Sequence, residues 1–140
     1  MYLEQTVDIE APVERVWDVT IDIPQWPSWN PTVDSVEVLT PRPMGVGWSA
    51  RLKQPRNAPG TWTVTRFEAP HVYQWETSAL GMHVVALHRL DATSTGTHVT
   101  LSIEVSGLTA PLLGWIVARV SRKFLPMEAA ALKTECERTD

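Results

Sequence analysis

The chain has 140 residues, of which 44% are hydrophobic and 20% charged, and its formal net charge at pH 7 is -4. This size allows one sizeable core, and we predict a single domain over residues 1–140. The negative charge argues against nucleic acid as a partner, and no run approaches the roughly 18 apolar residues of a membrane span. A lone cysteine and no recognisable signal peptide predict a cytoplasmic protein.

The first 31 residues predict a strand followed by two short helices. Tyr2–Glu10 alternates between apolar and polar residues, which is typical of a strand. Pro12 then stands where the first turn of a helix tolerates proline, and Trp17 falls on the buried face of that helix. The next segment, Gln25–Trp29, is limited to a turn or two of helix by Pro24, Pro27 and Pro31.

Six further strand-like runs follow, separated by prolines and glycines that favour turns. Their short connections predict an antiparallel meander. The predicted strands are Thr32–Leu39, Val46–Gln54, Thr61–Glu68, Val72–Ser78, Met82–Asp91 and His98–Ser106.

The period changes to that of a helix from about Ala110 to Glu137. At 100° per residue, one apolar stripe contains Leu113, Val117, Val120, Phe124 and Ala131, with Ile116 and Met127 beside it. Arg119, Arg122 and Lys133 lie on the opposite side, and a kink is expected at Pro126, which has no N–H to donate.

Several short motifs follow this order of elements: Ala11-Pro12, Val16-Trp17, Trp29-Asn30-Pro31, Gly45-Val46-Gly47, His88-Arg89-Leu90, Gly96-Thr97-His98-Val99 and Leu132-Lys133. Together they resemble the START-like (SRPBCC) superfamily, and specifically the polyketide cyclase/dehydrase and lipid-transport family. The resemblance implies an α+β helix-grip fold, in which a curved antiparallel seven-stranded sheet wraps around a long C-terminal helix, with two short helices after the first strand. The family includes aromatase/cyclases, lipid and quinone carriers and chaperone activators.

Inward-facing residues of such a sheet line either a ligand cavity or a filled core, and the sequence leaves both possible. In the predicted strand Met82–Asp91, both faces carry apolar residues. The resemblance implies that Leu90 and Val99 point inward together, which places Val84, Ala86 and His88 inside and His83 outside. The predicted ligand-binding residues are Trp48, Trp62, Val64, Tyr73, Trp75, Ala86, His88, Leu101, Val117, Val120 and Phe124.

Three polar residues are candidates for chemistry at this site. His88 is a candidate hydrogen-bond donor or acid/base, or a structural histidine. Arg66 continues the inward parity of its strand, although Phe67 indicates a break of register there. Its guanidinium can meet a ligand carboxylate or enolate, or it can pair with Glu68 or Glu76 at the rim of the sheet. Glu128 borders the apolar stripe of the long helix and either reaches the cavity or, as the pattern favours, lies on a solvated flank of the helix.

No metal or cofactor site is predicted. His83 and His88 are five residues apart, so a regular strand points them to opposite faces, and the lone cysteine has no partner ligand.

Three functions remain open. The favoured one is binding of a hydrophobic or aromatic small molecule, such as a lipid, quinone or polyketide, between the sheet and the long helix. The second is a polyketide cyclase, aromatase or dehydrase that uses His88 or Arg66. The third, a protein-binding module, is disfavoured because the outer face of the sheet is polar, with Thr61, Thr63, Thr65, Ser49, Arg51 and Lys53. The sequence does not predict an oligomeric state.

Overall fold

The computed structural model describes residues 1–138 and has an α+β architecture. Its strands are β1 (Tyr2–Ile9), β2 (Ser35–Val38), β3 (Ser49–Lys53), β4 (Gly60–Glu68), β5 (Val72–Ala79), β6 (Met82–Ala92) and β7 (Thr97–Ser106). Its helices are α1 (Val13–Ile21), α2 (Trp26–Trp29) and α3 (Ala110–Glu137), with a 3-10 turn at Ile23–Gln25. Every predicted element is present, and the largest difference is that β2 and β3 are both shorter than predicted.

The seven strands form one antiparallel sheet in the order β1-β7-β6-β5-β4-β3-β2. Strands β2 to β7 are a meander, and β1 closes the other edge against β7. On β6 the buried residues alternate from Met82 to Leu90, and Leu90 lies opposite Val99. The inward face predicted for His88 is therefore confirmed.

A bulge in β4 overturns the inward position considered for Arg66. The register shifts between Val64 and Arg66, so Phe67 points inward and faces Tyr73 across the pair. One extra residue reverses the two faces of a strand beyond it. Arg66 consequently lies on the outer face, where it pairs with Glu68.

Helix α1 starts directly after Pro12 and buries Val13, Val16, Trp17 and Thr20. The carbonyl of Thr20 accepts hydrogen bonds from Trp26 Nε1 at 3.1 Å and from the Tyr73 hydroxyl at 3.3 Å. Since those donors lie on α2 and β5, this carbonyl fixes the end of α1 against both elements.

Helix α3 is continuous through Pro126, but its buried face differs from the predicted one. The fully buried residues are Gly114, Ala118, Ser121, Leu125, Ala129, Leu132 and Cys136, one position along from the predicted stripe. The residues on this face from Gly114 to Ser121 are small: Gly114, Ala118 and Ser121. The larger Val117, Val120 and Phe124 are half-buried and lie beside it.

None of the helices within residues 1–138 is long and apolar enough to cross a membrane.

Candidate functional site

A cavity of about 220 Å³ lies between the sheet and α3. Its walls come from α2, the following loop, strands β3 to β7 and α3. Thirteen of the lining residues are apolar: Trp26, Val33, Leu52, Trp62, Trp75, Val84, Ala86, Ile103, Ile116, Val117, Val120, Phe124 and Leu125. The five polar ones are Thr32, Gln54, His88, Ser121 and Glu128. A mostly apolar wall with a few polar groups is typical of small-molecule sites.

Seven of the eleven residues predicted to bind ligand line this cavity: Trp62, Trp75, Ala86, His88, Val117, Val120 and Phe124. The other four, Trp48, Val64, Tyr73 and Leu101, point inward but are buried in the core outside the cavity wall. Tyr73, for example, packs edge-on against Trp17 of α1. The inward face of the sheet is longer than the cavity, because α1 covers part of it.

Sequence reasoning missed several wall residues that lie outside the strands. Trp26 belongs to α2, and Thr32 and Val33 belong to the loop after it. The two tryptophans of the proline-rich segment were the available signal, since large aromatic residues suit pockets as well as cores. Their position over the open side of the sheet depends on how α2 packs, which a local pattern does not specify.

Three tryptophans form one side of the cavity. The rings of Trp62 and Trp75 are 5.4 Å apart at 34°, and Trp26 meets Trp75 nearly edge-on at 5.6 Å. Trp62 remains partly exposed, whereas Trp26 and Trp75 are buried. Such a wall offers both ring faces and ring edges to an aromatic ligand.

His88 is held between two aromatic rings at the cavity wall. It stacks on Tyr73, with ring centroids 4.3 Å apart and planes within 9°, and its centroid is 5.9 Å from that of Trp26. The residue is buried, yet neither ring nitrogen has a hydrogen-bond partner within residues 1–138. A buried, unpaired nitrogen is costly, so this imidazole is suited to bonding a group inside the cavity.

Glu128 faces His88 across the end of the cavity, with its Oε1 3.6 Å from His88 Nε2. That distance is longer than a hydrogen bond. The side chain is only 16% exposed, so the solvated flank favoured from the sequence is wrong. Asn30 Nδ2 approaches the same oxygen at 3.5 Å, and Asn30 is itself fixed because its Oδ1 accepts from the amide and hydroxyl of Thr32.

The electrostatic environment at this end keeps the Tyr73 phenol neutral. Burial, and to a smaller extent the negative charge of Glu128, raises the pKa of Tyr73 well above its ordinary value. Its hydroxyl donates to the Thr20 carbonyl. Tyr73 therefore positions His88 by stacking and does not line the cavity itself.

The cavity can hold an apolar ring against the tryptophans while His88 and Glu128 meet a polar group at one end. Arg66 is excluded from this arrangement, since it lies on the outer face of β4. No cluster of three or more His, Cys, Asp or Glu residues suited to a metal ion occurs within residues 1–138.

A curved seven-stranded antiparallel sheet closed by a long C-terminal helix, with an apolar cavity between them, defines a START-like helix-grip protein. The family model described as polyketide cyclase / dehydrase and lipid transport matches residues 2–137. The chain therefore belongs to this family. No curated protein matches its sequence significantly.

Solved structures show the same fold at low sequence identity. The Zhui aromatase/cyclase from Streptomyces sp. R1128 has a TM-score of 0.80 at 22% identity, over 99% of this chain and 94% of its own. A START superfamily protein from Mycobacterium smegmatis has 0.80 at 16%, covering 97% of each chain. Norcoclaurine synthase from Thalictrum flavum, solved with dopamine and hydroxybenzaldehyde, has 0.76 at 11%, over 100% of this chain and 89% of its own.

Proposed function

We propose that this protein binds an apolar, aromatic small molecule of one or two rings that carries a hydrogen-bonding group. The observation that carries this proposal is the unpaired, buried His88 facing Glu128 at one end of a tryptophan-lined cavity. The apolar wall provides affinity, and the polar end selects for a hydroxyl or a similar group.

The size of the proposed ligand follows from a comparison of the cavity volume with the volumes of known ligand sites. An apolar cavity of about 150 Å³ is large enough for benzene, whereas sites for drug-sized ligands reach about 300–1,000 Å³. At about 220 Å³, this cavity suits a group of one or two rings. The norcoclaurine synthase structure is a complex with dopamine and hydroxybenzaldehyde, two single-ring aromatic molecules, and this supports a ligand of that size here.

The test compares 2-naphthol with naphthalene, which differ by one hydroxyl, by isothermal titration calorimetry. A hydrogen bond to a charged or neutral partner contributes about 1–2 kcal/mol net, so 2-naphthol should bind about 5- to 30-fold more tightly. His88→Phe keeps a ring to stack on Tyr73 but removes both nitrogens, and Glu128→Gln removes the charge. Both variants should lose the preference for 2-naphthol and keep the affinity for naphthalene.

Native mass spectrometry of the freshly purified protein, followed by denaturation, should in parallel release an aromatic molecule of this size if one copurifies. If neither naphthalene nor 2-naphthol binds the wild-type protein at their solubility limits, the proposal is wrong. If the two compounds bind with equal affinity, the cavity is an apolar site, and His88 and Glu128 do not select for a hydroxyl group.

A second candidate function is acid–base catalysis on a small carbonyl compound, as in a cyclase or dehydrase. The observation that favours it is the 3.6 Å separation of His88 and Glu128. In this reaction the Glu128 carboxylate takes a proton from the carbon beside the carbonyl, while His88 donates a proton to the carbonyl oxygen to give the enol. The apolar surroundings strengthen the electrostatic interactions of both side chains with the substrate.

Exchange of the methyl protons of 4-hydroxyacetophenone in deuterated water tests this chemistry without knowledge of the natural substrate. Proton NMR should show exchange faster than in buffer with the wild-type protein and at the buffer rate with Glu128→Gln. Exchange at the buffer rate with wild-type protein that binds the compound would exclude catalysis of this kind and leave the binding function.

A further inference from the structure

The start of α3 exposes an unusual amount of apolar surface. Leu108 is 97% exposed, Leu112 75% and Trp115 62%, and Leu80 and Ile116 are exposed beside them. We call these five residues the apolar rim. Single exposed apolar residues are ordinary, but a contiguous group of large ones marks an interaction site.

The five residues are contiguous because of the local structure. Leu112, Trp115 and Ile116 stand three and four positions apart on α3 and therefore share one face of the helix. Thr109 Oγ1 donates to the carbonyl of Leu80 at 2.6 Å, which holds the β5–β6 turn against the beginning of the helix. Leu108 directly precedes this contact.

The next turns of the same outward face are basic. Arg119, Arg122 and Lys123 follow the apolar rim and are exposed, and at 100° per residue they lie on the side of Leu112 and Trp115. No Asp or Glu occurs from residue 110 to residue 127, although the chain as a whole carries a net charge of -4. The outward face of this half of α3 is therefore apolar at its start and positively charged after it.

We propose that the apolar rim and these three basic residues dock the protein onto the surface of an anionic phospholipid bilayer. Leucine and tryptophan side chains enter the boundary between headgroups and acyl chains, and arginine and lysine bind the headgroup phosphates. A twofold contact with a second copy fits less well, because it brings two basic rows together with no acidic residue in the same stretch of helix.

The docked face adjoins the cavity described above. Ile116 belongs to the apolar rim and also lines the cavity, and Val117 and Val120 form the wall on the next positions of the helix. Docking thus places the cavity edge next to the bilayer, where apolar small molecules accumulate. The docking itself does not depend on the ligand proposed for the cavity.

Vesicle co-sedimentation without added ligand tests the proposal. Wild-type protein should bind vesicles of phosphatidylcholine with phosphatidylglycerol, bind phosphatidylcholine alone much more weakly, and dissociate as salt is raised. Each basic residue near an anionic surface contributes about fivefold in partitioning. Arg119→Glu with Lys123→Glu should therefore lower binding at least about tenfold, and Leu112→Ser with Trp115→Ser should lower it comparably.

Matched controls are Arg51→Glu, on the outer face of the sheet, and Val46→Ser, at an exposed apolar position before β3. Both should bind vesicles as the wild type does, and thermal unfolding should show that all variants are folded. Binding that is equal for neutral and anionic vesicles, or unchanged in both double variants, would overturn the proposal. So would a wild-type dimer that Leu112→Ser dissociates while vesicles remain unbound.

Discussion

Tyr73 and His88 form a stacked pair in which only one partner reaches the cavity. The phenol is fully buried, donates to the Thr20 carbonyl, and has a pKa raised mainly by burial. The imidazole is left with both nitrogens unpaired. A neutral ring behind His88 supports it without competing for the group that His88 would bond.

The raised pKa of Tyr73 predicts how the protein responds to alkali. The unfolded chain can lose the phenolic proton from about pH 10 upward, whereas the folded chain retains it. The free energy of unfolding should therefore fall as pH rises above 10. The chain has two tyrosines, so tyrosinate absorbance of the native protein should reach one equivalent, from exposed Tyr2, and the second should appear only on unfolding.

Tyr73→Phe provides the control for this titration. It should remove the second equivalent and the corresponding loss of stability above pH 10, at a cost of about 1 kcal/mol for the lost hydrogen bond. If two equivalents titrate before circular dichroism reports unfolding, Tyr73 is accessible to water and its described environment is wrong.

Cys136 is buried on the inner face of α3, and burial raises the pKa of its thiol to about 12. Only the thiolate reacts with alkylating agents. Native protein at pH 8 should therefore resist iodoacetamide, and protein in urea should be labelled once, as read by mass spectrometry. Rapid labelling without denaturant would contradict this and show that the end of α3 opens readily.

Individual elements were predictable because their signals are local. Strand-like runs separated by prolines and glycines identified all seven strands, and the break suspected at Phe67 corresponds to the β4 bulge. The predicted buried face of α3 was wrong by one position, because Gly114 and Ala118 carry little hydrophobic weight in a pattern although they are buried. Burial by small residues depends on the partner surface, which a helical period does not contain.

Replacing glycine by alanine should change stability in opposite directions at Gly107 and Gly114. Gly107 has φ +111°, and a Cβ there would lie 2.4 Å from the carbonyl oxygen of Gly81. Gly114 is inside α3, and a Cβ there would meet no atom within 4 Å. Gly107→Ala should cost at least about 2 kcal/mol, whereas Gly114→Ala should add about 0.5–1 kcal/mol of stability.

Urea unfolding followed by circular dichroism measures both changes, and each variant is the control for the other. A neutral Gly107→Ala would mean that the turn between β7 and α3 relaxes at little cost. A destabilising Gly114→Ala would mean that α3 lies closer to the sheet than described.

At the level of the whole chain, the cavity depends on contacts between distant segments. His88, Glu128 and Asn30 come from β6, α3 and the end of α2. The sequence pointed to His88 through strand parity and to most of the apolar wall, but the approach of Glu128 depends on the rotation of α3. The family resemblance was enough to predict the architecture. The pairing of Glu128 with His88 was not predictable, because it depends on how α3 is rotated against the sheet.

A large side chain placed in the cavity should abolish ligand binding without lowering the stability of the fold. An apolar side chain that fills the cavity removes apolar surface of the wall from water, which stabilises the folded state by about 25 cal/mol per Å² buried. Ala86 lies on the wall, between Trp75 and Ile103 of the neighbouring strands. Ala86→Phe should place a ring in the cavity, and the gain should offset the roughly 1–3 kcal/mol of local strain that enlargement causes.

We therefore expect Ala86→Phe to lose 2-naphthol binding while its melting temperature stays equal to or above that of the wild type. Ala92→Phe, at an exposed position of the same strand, is the matched control and should change neither. A protein that still binds 2-naphthol after Ala86→Phe holds it elsewhere, whereas lost binding with a sharply lowered melting temperature would mean that the cavity is already filled by its own side chains.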